Sequence, residues 1–317
     1  MAASGDDDLY SPALRPPSAL RTLAAGAVVV GIAAPIARHR LRLPRAAVSL
    51  LSWQAPVTFA LATRPSRPRD GLVYLLQMWA YFAHYEMPND DPERLRQRLK
   101  IDYPIRVDRL IGCGELPSAR LQRRFARPGT VGIHDVGLSS VHWAWFLVPH
   151  GSLAYILVRH PERFRRSACL IAAVFDSGLV FYWALPTAPP WWATANGRAT
   201  PVRRIMTEAG ERLWGPLWRP LYDSLGGNPF AAMPSLHFAT SLMAAQLLSE
   251  VGTGPGALGW TYAAALGGGL VYLGEHYVID LVAGAALARA VFAARRPAES
   301  MARALADAID RLEPAFG

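Results

Sequence analysis

The chain has 317 residues, 52% hydrophobic and 18% charged, with a mean hydropathy of +0.15. Soluble domains carry about 25% charged residues, so this composition excludes a disordered tail, a collagen-like chain and a small disulfide scaffold, and argues against an ordinary soluble enzyme. The net charge is +9, with Lys100 the only lysine among 33 basic residues; the arginines stand between apolar stretches, not in a block with interleaved aromatics, which points to headgroup or phosphate contacts and away from nucleic acid.

In chain order, residues 1–19 are acidic and then Pro-rich and read as a disordered leader. The run TLAAGAVVVGIAAPIA (22–37) reads as a first membrane helix, and AAVSLLSWQAPVTFALAT (46–63) is uncharged and long enough to span. GLVYLLQMWAYFA (71–83) is short and reads as an interfacial or re-entrant helix. Residues 84–135 are polar, Arg-rich and broken by Pro and Gly, the pattern of one or two amphipathic helices lying at the membrane surface.

A span over 136–158 follows, then a basic turn, then a span over 167–186. A second polar loop occupies 187–233. Three closely spaced helices close the membrane part, near 235–251, 257–274 and 277–294, before a charged tail that reads as cytoplasmic and amphipathic. The sequence thus predicts an all-α polytopic membrane bundle, with six firm spans and two weaker ones. The short basic turns at 64–69 and 159–166 fit the cytoplasmic side, which puts the long polar loops outside; the arginines of those loops and of the 38–45 turn argue the other way, but long loops count less. Cys113 and Cys169 are far apart and in no metal spacing, and read as unpaired thiols. No zinc-helix spacing occurs, and no cofactor or metal is expected.

Polar residues beside membrane helices are functional candidates by default. In YLGEHYVIDLVAG, His276 and Asp280 are four apart at a helix start, on one face and within reach of each other. A carboxylate fixes the imidazole tautomer and stabilises its cation, as a nucleophilic histidine requires. In GNPFAAMPSLHFATS, Pro234 and Ser235 open a helix with His237 in its first turn. Unpaired N–H groups there attract phosphate, and a histidine among them is placed to protonate a departing oxygen.

MPSLH and EHYVID resemble the second and third signature motifs of the type 2 phosphatidic acid phosphatase (PAP2) superfamily, most closely the branch of inositol phosphorylceramide synthases and their bacterial relatives. LPTAPPWW (185–192) is similar to the Pro-rich segment of that branch. The resemblance covers roughly 130–295 and implies a bundle of six core helices, with extra N-terminal helices and interfacial helices around it. It implies a metal-free phosphohistidine mechanism: His276 as nucleophile, Asp280 orienting it, His237 as acid, and Ser235 with the helix start holding phosphate oxygens.

The family's Ser-Arg pair seven and six residues before the nucleophile is replaced here by Gly269 and Leu270, and the glycine of the usual second motif by Leu236. Another arginine must therefore neutralise the phosphoryl group. The loop before MPSLH offers Arg198, Arg203, Arg204, Arg212 and Arg219; Arg203 and Arg204 are the preferred candidates, since paired arginines suit phosphate, with a surface pair touching lipid headgroups as the competing reading.

The remaining polar residues read first as structural. His142 and His150, on the 136–158 span, are expected to make interhelical hydrogen bonds, with a place facing the cavity as the alternative; Asp176 packs between helices or serves the site, and His134–Asp135 caps. Trp191 and Trp192 read as interfacial anchors first and as a wall for a lipid or sugar second, and Gly267–Gly269 as close helix packing.

The expected domains are the leader (1–19), N-terminal membrane helices with an Arg-rich interfacial segment (20–135), a catalytic core (136–295) and the tail (296–317). The expected function is a phosphotransferase or phosphatase of lipid or polyprenyl phosphates in a bacterial plasma membrane, with its site at the extracytoplasmic face. The competing reading is a non-catalytic lipid-binding or transport protein on the same scaffold. The sequence assigns no oligomeric state.

Overall fold

The computed structural model describes residues 18–224 and 227–312. Most of the expected leader and the last five residues of the expected tail lie outside that range. Among the described residues the regular structure is helical; pairing of strand type is limited to two isolated bridges, Lys100 to Thr187 and Thr187 to Ala231.

Helices α1 (Ser18–Ala37), α2 (Arg45–Ala62) and α3 (Arg67–Glu86) pack in sequence order. The Gln54 amide ties α2 to the Ala27 carbonyl of α1 at 2.7 Å. Ser66 caps α3 by accepting the Arg69 N–H, with a proline in the first turn. The expected short helix at 71–83 is thus a full 20-residue helix. It packs against the bundle, where Gln77 donates to Asp176 at 2.7 Å.

The Arg-rich segment folds into three short helices, α4 (Pro92–Arg98), α5 (Asp102–Ile111) and α6 (Pro117–Phe125). α5 and α6 are not simply surface helices. Asp108 and Gln122 point inward and are buried, each paired to backbone of the C-terminal region.

The expected span at 136–158 is broken. Helix α7 (Ile133–Trp143) and helix α8 (Val148–Arg159) meet at a 52° bend through a 3₁₀ turn at Ala144–Phe146, just before Pro149. Helix α9 (Pro161–Ala184) follows unbroken; the stretch expected as a basic turn, from Pro161 to Arg166, forms its charged first turns, and the apolar run comes after it.

The polar loop after α9 is itself structured. It carries α10 (Pro190–Ala195), α11 (Ile205–Trp214) and α12 (Trp218–Ser224). The Pro-rich stretch is pinned on both sides: Lys100 N–H donates to Pro186 O and Thr187 N–H to Phe230 O, both at 2.8 Å.

Helices α13 (Leu236–Val251), α14 (Thr253–Tyr272) and α15 (Val278–Leu312) complete the chain. The tail is not a separate element, because α15 runs through to Leu312. α13 is the central helix, packed against α8, α9, α14 and α15. Its Met243 and Leu247 join Leu153, Ile156, Ile171 and Phe175 in the largest core cluster.

Among the described residues two helices are long and apolar enough to cross a membrane alone, Ala19–Ala37 and Pro161–Ala184, and the bent α7–α8 pair makes a third. The other expected spans fall short of that test. α13, for example, has only 16 residues. Being enclosed by its neighbours, it does not need the continuous greasy surface that a lipid-facing helix has.

Candidate active site

Two helix starts meet at the site. At α13, Ser235 is the N-cap and its side chain accepts the Phe238 N–H at 3.4 Å. At the other, α14 ends in a reversal through Gly274, whose φ is +81°. A Cβ there would also lie 2.5 Å from the Arg203 carbonyl oxygen, so the turn and the contact both require glycine. The N–H groups of Glu275 and His276 then both donate to Leu270 O, at 3.1 and 3.2 Å.

The cap of α15 comes from elsewhere in the chain. Both Asp108 carboxylate oxygens accept, one from Val278 N–H and one from Ile279 N–H, each at 2.9 Å. The two helix starts are docked by the Ser235 N–H, which donates to Asp280 O at 2.9 Å. Gly284 permits this approach: a Cβ would stand 2.5 Å from Ser235 O.

This frame lines up three side chains. His276 Nδ1 is 3.3 Å from Asp280 Oδ2, which also accepts the Tyr277 N–H at 2.9 Å. His276 Nε2 is 3.2 Å from His237 Nδ1. With Asp280 ionised, one proton assignment satisfies both bonds. His276 carries its proton on Nδ1, toward Asp280, leaving the Nε2 lone pair to accept from His237 Nδ1–H. Trp145 packs on the His237 ring with centroids 4.2 Å apart, its indole N–H donating to Thr240 at 2.9 Å.

His237 and His276 line a cavity of about 420 Å³, within the usual size range of small-molecule sites. Its other polar wall is built on Arg204. The guanidinium Nε donates to Glu275 at 2.9 Å, Nη2 to Glu275 at 3.2 Å and to Tyr222 OH at 2.9 Å. It also lies 4.0 Å over the Trp191 ring. Burial opposes its charge, but the Glu275 carboxylate and the Tyr222 hydroxyl together more than offset this and hold the guanidinium above its ordinary value. Much of the remaining wall is apolar and aromatic, including Met78, Tyr81 and Phe82 of α3, Phe146 at the bend and Phe175 of α9.

A family model described as PAP2 superfamily matches residues 134–294, just over half of the sequence. The chain belongs to the PAP2 superfamily. Members are generally phosphatases or phosphotransferases. No match was found among curated proteins or among solved structures.

In this PAP2 protein the structure brings His276, Asp280, His237 and Arg204 together. Ser235 and Arg203, expected at the phosphate, do not line the cavity. Ser235 is fully buried and serves as cap and docking point. Arg203 turns away, because Glu208 and the carbonyls of Arg127 and Thr130 hold its guanidinium.

Other expectations resolve as follows. His150 bonds to Tyr74 OH at 2.9 Å, as an interhelical contact, and its ring also lines the cavity. Asp135 caps α7 at Gly132 and accepts from Tyr272 OH. Trp191 is a wall for Arg204, whereas Trp192 packs edge-on to Phe230. Gly267 admits the Phe238 ring, as close helix packing requires. His142 makes no interhelical hydrogen bond; it lines the cavity.

Sequence reasoning missed Asp108, Glu275 and the wall from α3. Asp108 and α3 precede the matched segment, so the motifs carried no sign of them. Glu275 stands inside EHYVID, and a carboxylate beside His276 was a readable sign of a cationic partner nearby.

Proposed function

We propose that this PAP2 protein is a membrane-embedded enzyme acting on lipid-linked phosphate esters through a phosphohistidine on His276. The observation that supports it most is the Asp280–His276–His237 hydrogen-bond chain on the wall of a cavity shared with Arg204. The His276 Nε2 lone pair attacks phosphorus as the bond to the lipid oxygen breaks. The leaving oxygen takes the His237 Nδ1 proton. Asp280 holds the charge that develops on the His276 ring.

In the second half-reaction an acceptor O–H attacks the phosphohistidine. The P–N pair returns to Nε2, and His237 recovers its proton from the acceptor. The 3.2 Å bond between the two imidazoles has to open for phosphorus to enter between them. Arg204 takes the place of the missing motif arginine and neutralises the phosphoryl oxygens, the largest electrostatic demand of such chemistry. The apolar wall suits a hydrocarbon chain on the same substrate.

Water as acceptor makes the enzyme a phosphatase. A sugar or inositol hydroxyl makes it a phosphotransferase, and a donor with a polyol on its phosphate passes on the whole headgroup phosphate. The likeness of LPTAPPWW and the two motifs to the inositol phosphorylceramide synthase branch favours transfer. In this reading residues 136–295 form the catalytic core, with six membrane helices and the site at the extracytoplasmic face of a bacterial plasma membrane. Residues 20–135 supply flanking helices and the cap of α15.

The test is turnover in reconstituted vesicles carrying a labelled lipid phosphate or an inositol-phosphate lipid, with and without free inositol or sugar. Label released as phosphate, or moved to the acceptor, supports the reading when His276→Ala abolishes it. Lipid binding with no turnover of any donor would instead establish the non-catalytic alternative.

A further inference from the structure

His142 is a buried imidazole that the mechanism above does not use. It is on α7 and is 6% exposed. Neither ring nitrogen has a hydrogen-bond partner among the described residues, and Nδ1 is fully enclosed. The ring nevertheless lines the catalytic cavity, and its centroid is 4.9 Å from that of His237. An unsatisfied buried polar group costs about 1–3 kcal/mol, and native proteins rarely leave one without a reason.

The enclosure of Nδ1 decides the tautomer. A buried lone pair without a partner is tolerated better than a buried N–H without one. Nδ1 therefore holds the lone pair and the proton is on Nε2. With Nδ1 walled in, the Nε2 edge is the part of the ring left to meet a cavity ligand. A neutral imidazole then presents one donor and no charge.

We propose that His142 is a third histidine of the phosphoryl site, its Nε2–H donating to a non-bridging oxygen of the transferring group. The inference rests on the phosphotransfer reading above. The ligand it calls for is a hydrogen-bond acceptor next to His237, where a phosphoryl oxygen comes to lie when His237 protonates the leaving group. No bond is made or broken at His142. It completes the set of donors of which Arg204 is the charged member.

The experiment uses the full-length protein in detergent, nitrophenyl phosphate as a soluble substrate and orthovanadate as a probe of the phosphoryl site. His142→Phe keeps a ring and removes both nitrogens, whereas His142→Gln puts an amide N–H near the position of Nε2. Losing one preorganised donor costs about 10²–10³-fold in kcat. We expect His142→Phe to lose at least ~10²-fold in kcat/KM and to weaken vanadate inhibition in parallel. Its thermal midpoint should stay level or rise, since an unpaired polar group has left the core. His142→Gln should recover most of the loss in both readouts.

His142→Phe retaining activity and vanadate inhibition within about threefold of wild type, against the loss a missing donor causes, would overturn the proposal. So would equal loss in both variants with a lowered thermal midpoint, which marks a packing role. A wild-type protein that neither turns over a phosphate ester nor binds vanadate overturns the phosphotransfer reading itself, and that result is distinct from either of these.

Discussion

Arg204 and Glu275 form a pair whose structural and chemical roles separate under mutation. Arg204→Met removes three hydrogen bonds and the contact with Trp191, and leaves the Glu275 carboxylate buried without its cation. Breaking a buried pair from one side costs about 3–5 kcal/mol. Arg204 keeps 26% of its side chain exposed against 9% for Glu275, so solvent screening places the loss near the lower end, ~3 kcal/mol. Arg204→Met/Glu275→Met removes the stranded charge and should regain most of that stability, because an apolar pair of similar volume is often neutral in such a place.

Activity follows a different rule. If Arg204 neutralises the phosphoryl oxygens, both variants lack that charge and both should lose about 10³-fold in kcat/KM, as when an arginine that stabilises transition-state charge is removed. The assay pairs thermal unfolding in detergent with turnover of a soluble aryl phosphate. Recovery of activity together with stability in the double variant would refute the clamp and leave the pair a purely structural one.

Three further outcomes follow from the frame. His237→Ala should lose about 10²–10⁴-fold on an alkyl or lipid phosphate and recover on a nitrophenyl ester, whose leaving group needs no proton, whereas His276→Ala stays inactive on both; burst kinetics of nitrophenol release read the difference, and equal loss without rescue contradicts the assigned roles. Asp108→Ala frees the two N–H groups at the start of α15, and should cost at least ~1–2 kcal/mol of stability and reduce kcat through His276, a loss Asp108→Asn recovers in part through its one carbonyl oxygen; unchanged unfolding in Asp108→Ala rules out the cap. Gly284→Ala sets a Cβ against the Ser235 carbonyl, so about 1–3 kcal/mol of overpacking strain and a drop in kcat are expected, with wild-type turnover arguing against tight docking of the two helix starts.

The His276–Asp280 pair was legible because four residues is one helical turn, so EHYVID placed both on one face without any tertiary information. His237 was legible as a first-turn histidine. That it faces His276 depends on the Gly274 reversal and the Ser235–Asp280 bond, which are tertiary. Arg203 and Arg204 are adjacent and chemically alike, so sequence could not divide them. The structure does, since Glu208 takes one and Glu275 the other.

Helices were easier to read than their surroundings. Apolar runs gave α1 and α2 to within four residues, and gave α9 without its charged first turns, which begin at Pro161. The 136–158 run hid a break because its hydropathy is continuous, and only Pro149 hinted at the bend. The Arg-rich segment looked like surface because its charges dominate its composition. Two of its inward polar residues, Asp108 and Gln122, pair with backbone more than 80 residues away. Such long-range partners leave no periodic trace. His142 has two readings in the sequence, an interhelical hydrogen bond or a place facing the cavity, and only the three-dimensional structure chooses the second.

The central claim is a covalent phosphoryl group on His276. The direct measurement is mass spectrometry of the protein quenched during turnover of a phosphate ester with a good leaving group, in wild type and in His237→Ala, which keeps the nucleophile. The account predicts an acid-labile, base-stable adduct of one phosphoryl group on His276 in both proteins and none in His276→Ala. An active enzyme that shows no adduct during a pre-steady-state burst, or carries it on another residue, would contradict the account.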